Sequence, residues 1–155
     1  MKKFLIVAVA LFTAFMTTSC GTSKVNPLIK GVLGEWHLVA WSGEMTEQID
    51  VYVEFKIDNT FNLYQKDWQT PIYYNSYAGN YLITEDIITG QYTDGRTWGA
   101  ANGYQATLGV DGKLTLVNVD NPDDISVFAP TTIPASIKTA ASAASTRSGE
   151  VVPFL

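Results

Sequence analysis

Apolar residues recur along much of this chain with a period of two. Val51, Val53, Phe55 and Ile57 alternate with Asp50, Tyr52, Glu54 and Lys56. That is the pattern of a strand with one buried and one wet face, here over 50–57. Asp58-Asn59 signals a turn, and a second strand is expected over 60–66 with Phe61 and Leu63 inward. The same reading puts strands at 35–42, 77–84, 86–93, 102–109, 113–119 and 124–129. Their turns are Glu85-Asp86, Asp94-Gly95, Asp111-Gly112 and Asp120-Asn121-Pro122-Asp123. Longer connections are expected at 67–76, polar, aromatic and broken by Pro71, and at 96–101. Short strands with tight turns and almost no long helix predict an all-β fold. The simplest form is an eight-stranded antiparallel up-and-down β-barrel, because sequential strands usually pair. A barrel of that size just holds its own side chains or one small ligand.

A short N-terminal helix is expected over 26–33. Asn26 suits the N-cap, Pro27 the first helical position, and Gly34 stops it. After Pro130 the pattern changes. Ile133 to Thr139 predicts one or two helical turns, residues 139–148 read as a small-residue linker, and Val151 to Leu155 form an apolar tail. Apolar surface is costly in water, so the tail is expected to dock on the domain.

The front of the chain reads as an export signal. Lys2 and Lys3 precede an apolar run from Phe4 to Met16, and Thr17-Thr18-Ser19 lead to Cys20, the single cysteine. This order predicts a lipoprotein signal peptide over 1–19 with lipidation of Cys20 by a diacylglycerol and further acyl chains such as palmitate. The run is too short to span a membrane, which takes roughly 20 residues. Several acyl chains would anchor the protein without a span. Lipoprotein signals usually carry Leu, Val or Ile three residues before the cysteine; Thr17 stands there. An Asp after the cysteine favours inner-membrane retention, and Gly21 stands in that place, so delivery to the outer membrane is expected. The expected organisation is therefore signal 1–19, lipidated tether 20–25, barrel domain 26–138, and linker with tail 139–155.

The net charge is −5, and cleavage would remove two lysines and no acid. An acidic domain with no basic patch argues against nucleic acid as a partner. With Cys20 lipidated no internal disulfide can form, so a packed core must hold the domain together.

Gly34-Glu35-Trp36 at the head of the first strand is similar to the G-x-W tripeptide of lipocalins, where a short helix before it closes one barrel end. More closely, the chain resembles the small lipocalin-like lipoproteins of Gram-negative bacteria. The resemblance rests on Gly34–Trp41, Tyr52–Leu63, Gly79–Tyr92 with Thr93-Asp94-Gly95, and Leu114–Ile133 in outline. It implies a calycin-type barrel and names no ligand. In lipocalins an Arg on the last strand packs over the Trp; residues 124–129 contain none.

No catalytic constellation emerges, and neither enzymatic activity nor a cofactor is expected. His37 is the single histidine and should point outward if Trp36 points inward. No second histidine or free thiol completes a zinc site, and no nucleophile elbow or phosphate loop is present. Glu85-Asp86 and Asp123-Asp124 read as ordinary turn residues. The aromatic residues are more suggestive. Trp36, Phe55, Phe61, Tyr81, Tyr92 and Tyr104 are candidate wall residues, alternating with small residues at Ala40, Gly79, Gly90 and Ala106. Such alternation can fill a tapering barrel or leave an apolar cavity with phenol groups that orient a ligand. Trp68, Tyr73, Tyr74 and Trp98 form a second, loop-borne cluster; Trp98 joins Trp36, Phe55, Tyr81, Tyr92 and Tyr104 as a ligand-binding candidate. Two functions stay open: a membrane-anchored binder of a small hydrophobic or amphipathic molecule, or a solid barrel that docks a protein partner in the envelope. An enzyme working in the cavity is a weaker third.

Overall fold

The computed structural model describes residues 27–42, 44–45, 49–67, 73–144 and 152–155. The expected signal peptide, tether, Cys20 and Trp68 lie outside the described residues. Helix α1 (Pro27–Val32) precedes strands β1 (Gly34–Trp41), β2 (Glu44–Met45), β3 (Val51–Phe55), β4 (Thr60–Asp67) and β5 (Tyr73–Thr84). Then follow β6 (Ile87–Tyr92), β7 (Tyr104–Leu108), β8 (Leu114–Asn118), β9 (Ile125–Pro130) and helix α2 (Ala135–Ala144).

Strands β3 to β9 pair antiparallel in sequence order, and β1 pairs both β3 and β9. Among the described residues the result is a closed eight-stranded up-and-down barrel, which pairs the strands that an open sheet would leave at its edges. The two-residue β2 extends the edge of β1 that β3 leaves, opposite Ala40 and Trp41. Closure runs from Trp36↔Pro130 to Trp41↔Ser126, with a bulge between Leu38 and Ala40.

The alternation in β3 places Val51, Val53 and Phe55 in the core, as expected. It ends one step sooner than the sequence suggests. Ile57 is 86 % exposed, because the hairpin closes with the Thr60 carbonyl accepting from Lys56 N–H, which leaves Ile57 in the turn. Asn59 takes φ +62 there, a value asparagine tolerates better than most residues. Strand β5 starts at Tyr73, so the segment expected to be loop is half strand. Residues 73–76 pair with Asp67 back to Tyr64.

The small-residue run expected as a linker instead continues α2 to Ala144. Ile133, Ile137 and Ala141 recur every fourth residue and bury against Tyr64, with Tyr52 and Tyr74 alongside. Alanine is the strongest helix former, so packing and propensity agree. Glu35 anchors the start of this segment to β1. Its carboxylate accepts from Lys138 Nζ at 2.6 Å and from the Ile133 N–H at 2.5 Å. Partial burial raises the Glu35 pKa, but these two donors outweigh it and the net direction is down.

The two barrel ends differ. At one, α1 lies against the barrel, and the Trp36 indole donates to the Val32 carbonyl at 2.8 Å. That bond satisfies one of the carbonyls a helix leaves open at its C-terminus. At the other end lie Trp41 of β1, the start of β3, the end of β4, the start of β5, Tyr92 and the start of β9. The segment 152–155 sits at this mouth.

Candidate functional site

All six ligand-binding candidates face the interior. Trp36, Phe55, Tyr81, Tyr92, Trp98 and Tyr104 are buried in one core cluster, with Phe61 among them. Trp98 is the hub, although its sequence position reads as loop. The chain returning from the Asp94-Gly95 turn stays paired to β6: Tyr92 N–H reaches the Arg96 carbonyl and Trp98 N–H the Gly90 carbonyl. This pairing aims the indole inward. Its ring meets Phe61 at 5.2 Å, Tyr104 at 6.1 Å and Phe55 at 6.2 Å between centroids, all edge-to-face. Phe55 meets Tyr81 at 5.1 Å and Phe61 meets Tyr92 at 5.4 Å in the same way. Such pairs contribute about 0.5–1.5 kcal/mol each beyond their buried area. Gly90 makes room for the hub. A Cβ there would lie 2.0 Å from Trp98 Cε2.

Each phenol is held differently. Tyr81 donates to the Lys56 carbonyl at 2.7 Å. Tyr92 donates to the main-chain oxygen of Leu155 at 2.6 Å. Burial pushes the Tyr104 phenol up to about 12, and burial with the neighbouring Tyr104 and Tyr77 raises Tyr92 further. The indole N–H of Trp98 is buried with no hydrogen-bond partner.

Toward the mouth the inner face turns polar. Gln65 follows Phe61 and Leu63 at two-residue steps on β4, and Asn75 precedes Tyr77 and Gly79 likewise on β5. The two pair across the strands, and Gln65 also pairs with the core residue Val51. Alternation therefore turns both amides inward. Gln65 Oε1 and Asn75 Nδ2 are buried without partners. Leaving such atoms unpaired costs about 1–3 kcal/mol each. Polar residues in a strand are normally outward and residues 67–76 read as loop, so only the register of β4 against β5 reveals the two inward amides.

Of the loop-borne cluster, Trp98 lies in the core and Tyr74 on the outer wall, while Trp68 lies outside the described residues. Tyr74 donates to Asp50 at 2.5 Å on the outer wall, and the same carboxylate meets His37 Nε2 at 2.9 Å. His37 stacks on Tyr52 with centroids 4.3 Å apart and faces outward, as its position next to Trp36 implies. Among the described residues, no group of three or more His, Cys, Asp or Glu side chains could hold a metal ion. A further groove of about 530 Å³, open to solvent, lies beside α1, with Leu28, Glu85, Asp86 and Leu108 in its lining.

A closed antiparallel meander, a helix tied to one end by a G-x-W tryptophan and an apolar interior together define a lipocalin-type barrel. The model of the lipocalin-like domain family matches residues 32–116, from the end of α1 into β8. That is more than half of the chain, and the chain belongs to the lipocalin-like domain family. No curated protein matches it.

Proposed function

We propose that this protein is a non-enzymatic binder of a small hydrophobic or amphipathic molecule, held at a bacterial outer membrane by lipidated Cys20. The observation that carries the reading is the graded interior. Interlocked aromatic rings fill the barrel toward α1, while the mouth combines apolar walls with the unpartnered amides of Gln65 and Asn75. Apolar surroundings with a few convergent polar groups are the usual make-up of a small-molecule site. We place the site at the mouth because the aromatic rings toward α1 pack against one another. The lipocalin-like barrel supports the hydrophobic class of ligand. The membrane part of the reading rests on the order of residues before Cys20.

Titration of the full chain with the apolar fluorophore N-phenyl-1-naphthylamine tests the binding. A saturable one-to-one signal is expected; no saturable signal would contradict the reading. For the anchor, C20S should move the protein from the membrane to the soluble fraction. Unchanged membrane association would contradict lipidation.

A further inference from the structure

The mouth already holds an apolar segment, and that segment is part of the chain. Leu155 is 3 % exposed and belongs to the barrel core cluster. Phe154 packs edge-on against Trp41 at 5.5 Å. The main-chain oxygen of Leu155 accepts from the Tyr92 hydroxyl. Trp41 shares the inner face with the buried Ser126, its strand partner, and its indole is pinned to Asp124 at 2.7 Å. Around the ring the strands run β1, β3, β4, β5, β6, β7, β8, β9. Strands β1 and β6 are thus diametrically opposite. A segment that touches Trp41 on β1 and Tyr92 on β6 crosses the mouth from wall to wall. Beside its path, on β4 and β5, the tail leaves one amide acceptor and one amide donor unpaired.

We infer that residues 152–155 are a resident placeholder in the ligand site, and that the site takes an apolar chain carrying an amide group. The inference rests on the binding reading above. The tail shows which groups the mouth accepts: a branched aliphatic side chain, an aromatic ring at the rim, and a main-chain oxygen on Tyr92. The orphaned pair shows what the tail fails to supply. Gln65 Oε1 needs a donor and Asn75 Nδ2 an acceptor, side by side across an antiparallel pair. A single amide offers both, whereas an ester offers the acceptor alone. A ligand that satisfies the pair and fills the apolar volume displaces the tail, so the tail sets a threshold on affinity. Two sources carry this chemistry, an apolar peptide and an acyl amide.

The experiment compares the full chain with L155D, which places a charge where the leucine is buried, and with F154A, which removes only the rim contact. Each is titrated calorimetrically with decanamide, with N-acetyl-Val-Pro-Phe-Leu-amide and with methyl decanoate. Amide ligands should bind L155D about tenfold tighter than the wild type, with F154A between them. Methyl decanoate should bind L155D about tenfold weaker than decanamide, and N75L should erase that preference. The tighter of decanamide and peptide assigns the source. Equal affinities for all three proteins would overturn the placeholder role while leaving barrel binding intact. Equal affinities for amide and ester would overturn the amide assignment. If no probe binds any of the proteins, the ligand-site reading itself fails and the inference falls with it.

Discussion

Replacing Gly90 with alanine tests whether Trp98 is the hub of the barrel. The new methyl would sit 2.0 Å from Trp98 Cε2 and 2.4 Å from Nε1, against ordinary contact at 3.4–4 Å. The ring must retreat by more than an ångström. Phe55, Phe61 and Tyr104 bound it on its other sides, and a core at crystal-like density has no slack of that size. Overpacking alone costs about 1–3 kcal/mol. If the indole is expelled, the loss approaches that of deleting a core tryptophan, about 3–5 kcal/mol. We therefore expect G90A to destabilise by about 3 kcal/mol. Urea unfolding followed by far-ultraviolet circular dichroism measures this directly, with an unchanged m-value showing that only stability moved. W98L shortens the side chain that the methyl strikes. The double variant G90A/W98L should then lose at least about 1 kcal/mol less than the sum of the singles, the mark of residues in contact. A G90A protein within about 0.5 kcal/mol of wild type, or strictly additive variants, would refute the packing argument.

Y92F removes only the hydroxyl that holds the Leu155 main-chain oxygen; it should cost about 1 kcal/mol in urea unfolding and speed proteolysis of the tail, and unchanged cleavage would contradict the docking. Glu35 is the acid-sensitive tie of α2. Its folded pKa lies below the unfolded value, so its contribution is complete above the unfolded pKa and is lost as pH falls through the folded one. Partly exposed as the pair is, that loss should be about 1 kcal/mol or less, read as a stability difference from E35Q that vanishes in acid. Tyr104 behaves in the opposite sense. Its neutral phenol is favoured up to about 12, so stability is full below the unfolded phenol pKa and falls as pH rises through that value. Alkaline absorbance titration should show Tyr104 ionising after the exposed tyrosines, a lag that a simultaneous titration would disprove.

The hairpins were legible because their signals are local. Asp58-Asn59 and Asp111-Gly112 mark turns that the structure contains, and the alternation in β3 and β4 fixes which face is buried. Ile57 shows the limit of parity. A hairpin closes where its hydrogen bonds allow, and the last apolar residue of a run can fall in the turn. Residues 73–76 were obscured by Pro71 and by polar composition, since a strand lining a barrel mouth carries inward amides. Helix α2 did have a signal, Ile133, Ile137 and Ala141 at every fourth position, which its many small residues masked. Of the site, the wall aromatics were readable from type and parity. Trp98 was readable as a candidate but not as the hub, because its burial depends on pairing with β6 after a turn. Gln65 and Asn75 needed the register of β4 against β5, which no local pattern reveals. The apolar tail announced that it would dock; where it docks is a property of barrel closure.

The measurement that bears most directly on the central claim is native mass spectrometry of the L155D protein, produced in its own host and purified gently. Its mouth is free of the leucine, so any cargo should be retained. A single small apolar adduct that leaves on denaturation is expected. A bare protein mass would contradict the binding reading and return the barrel to the role of a solid docking module.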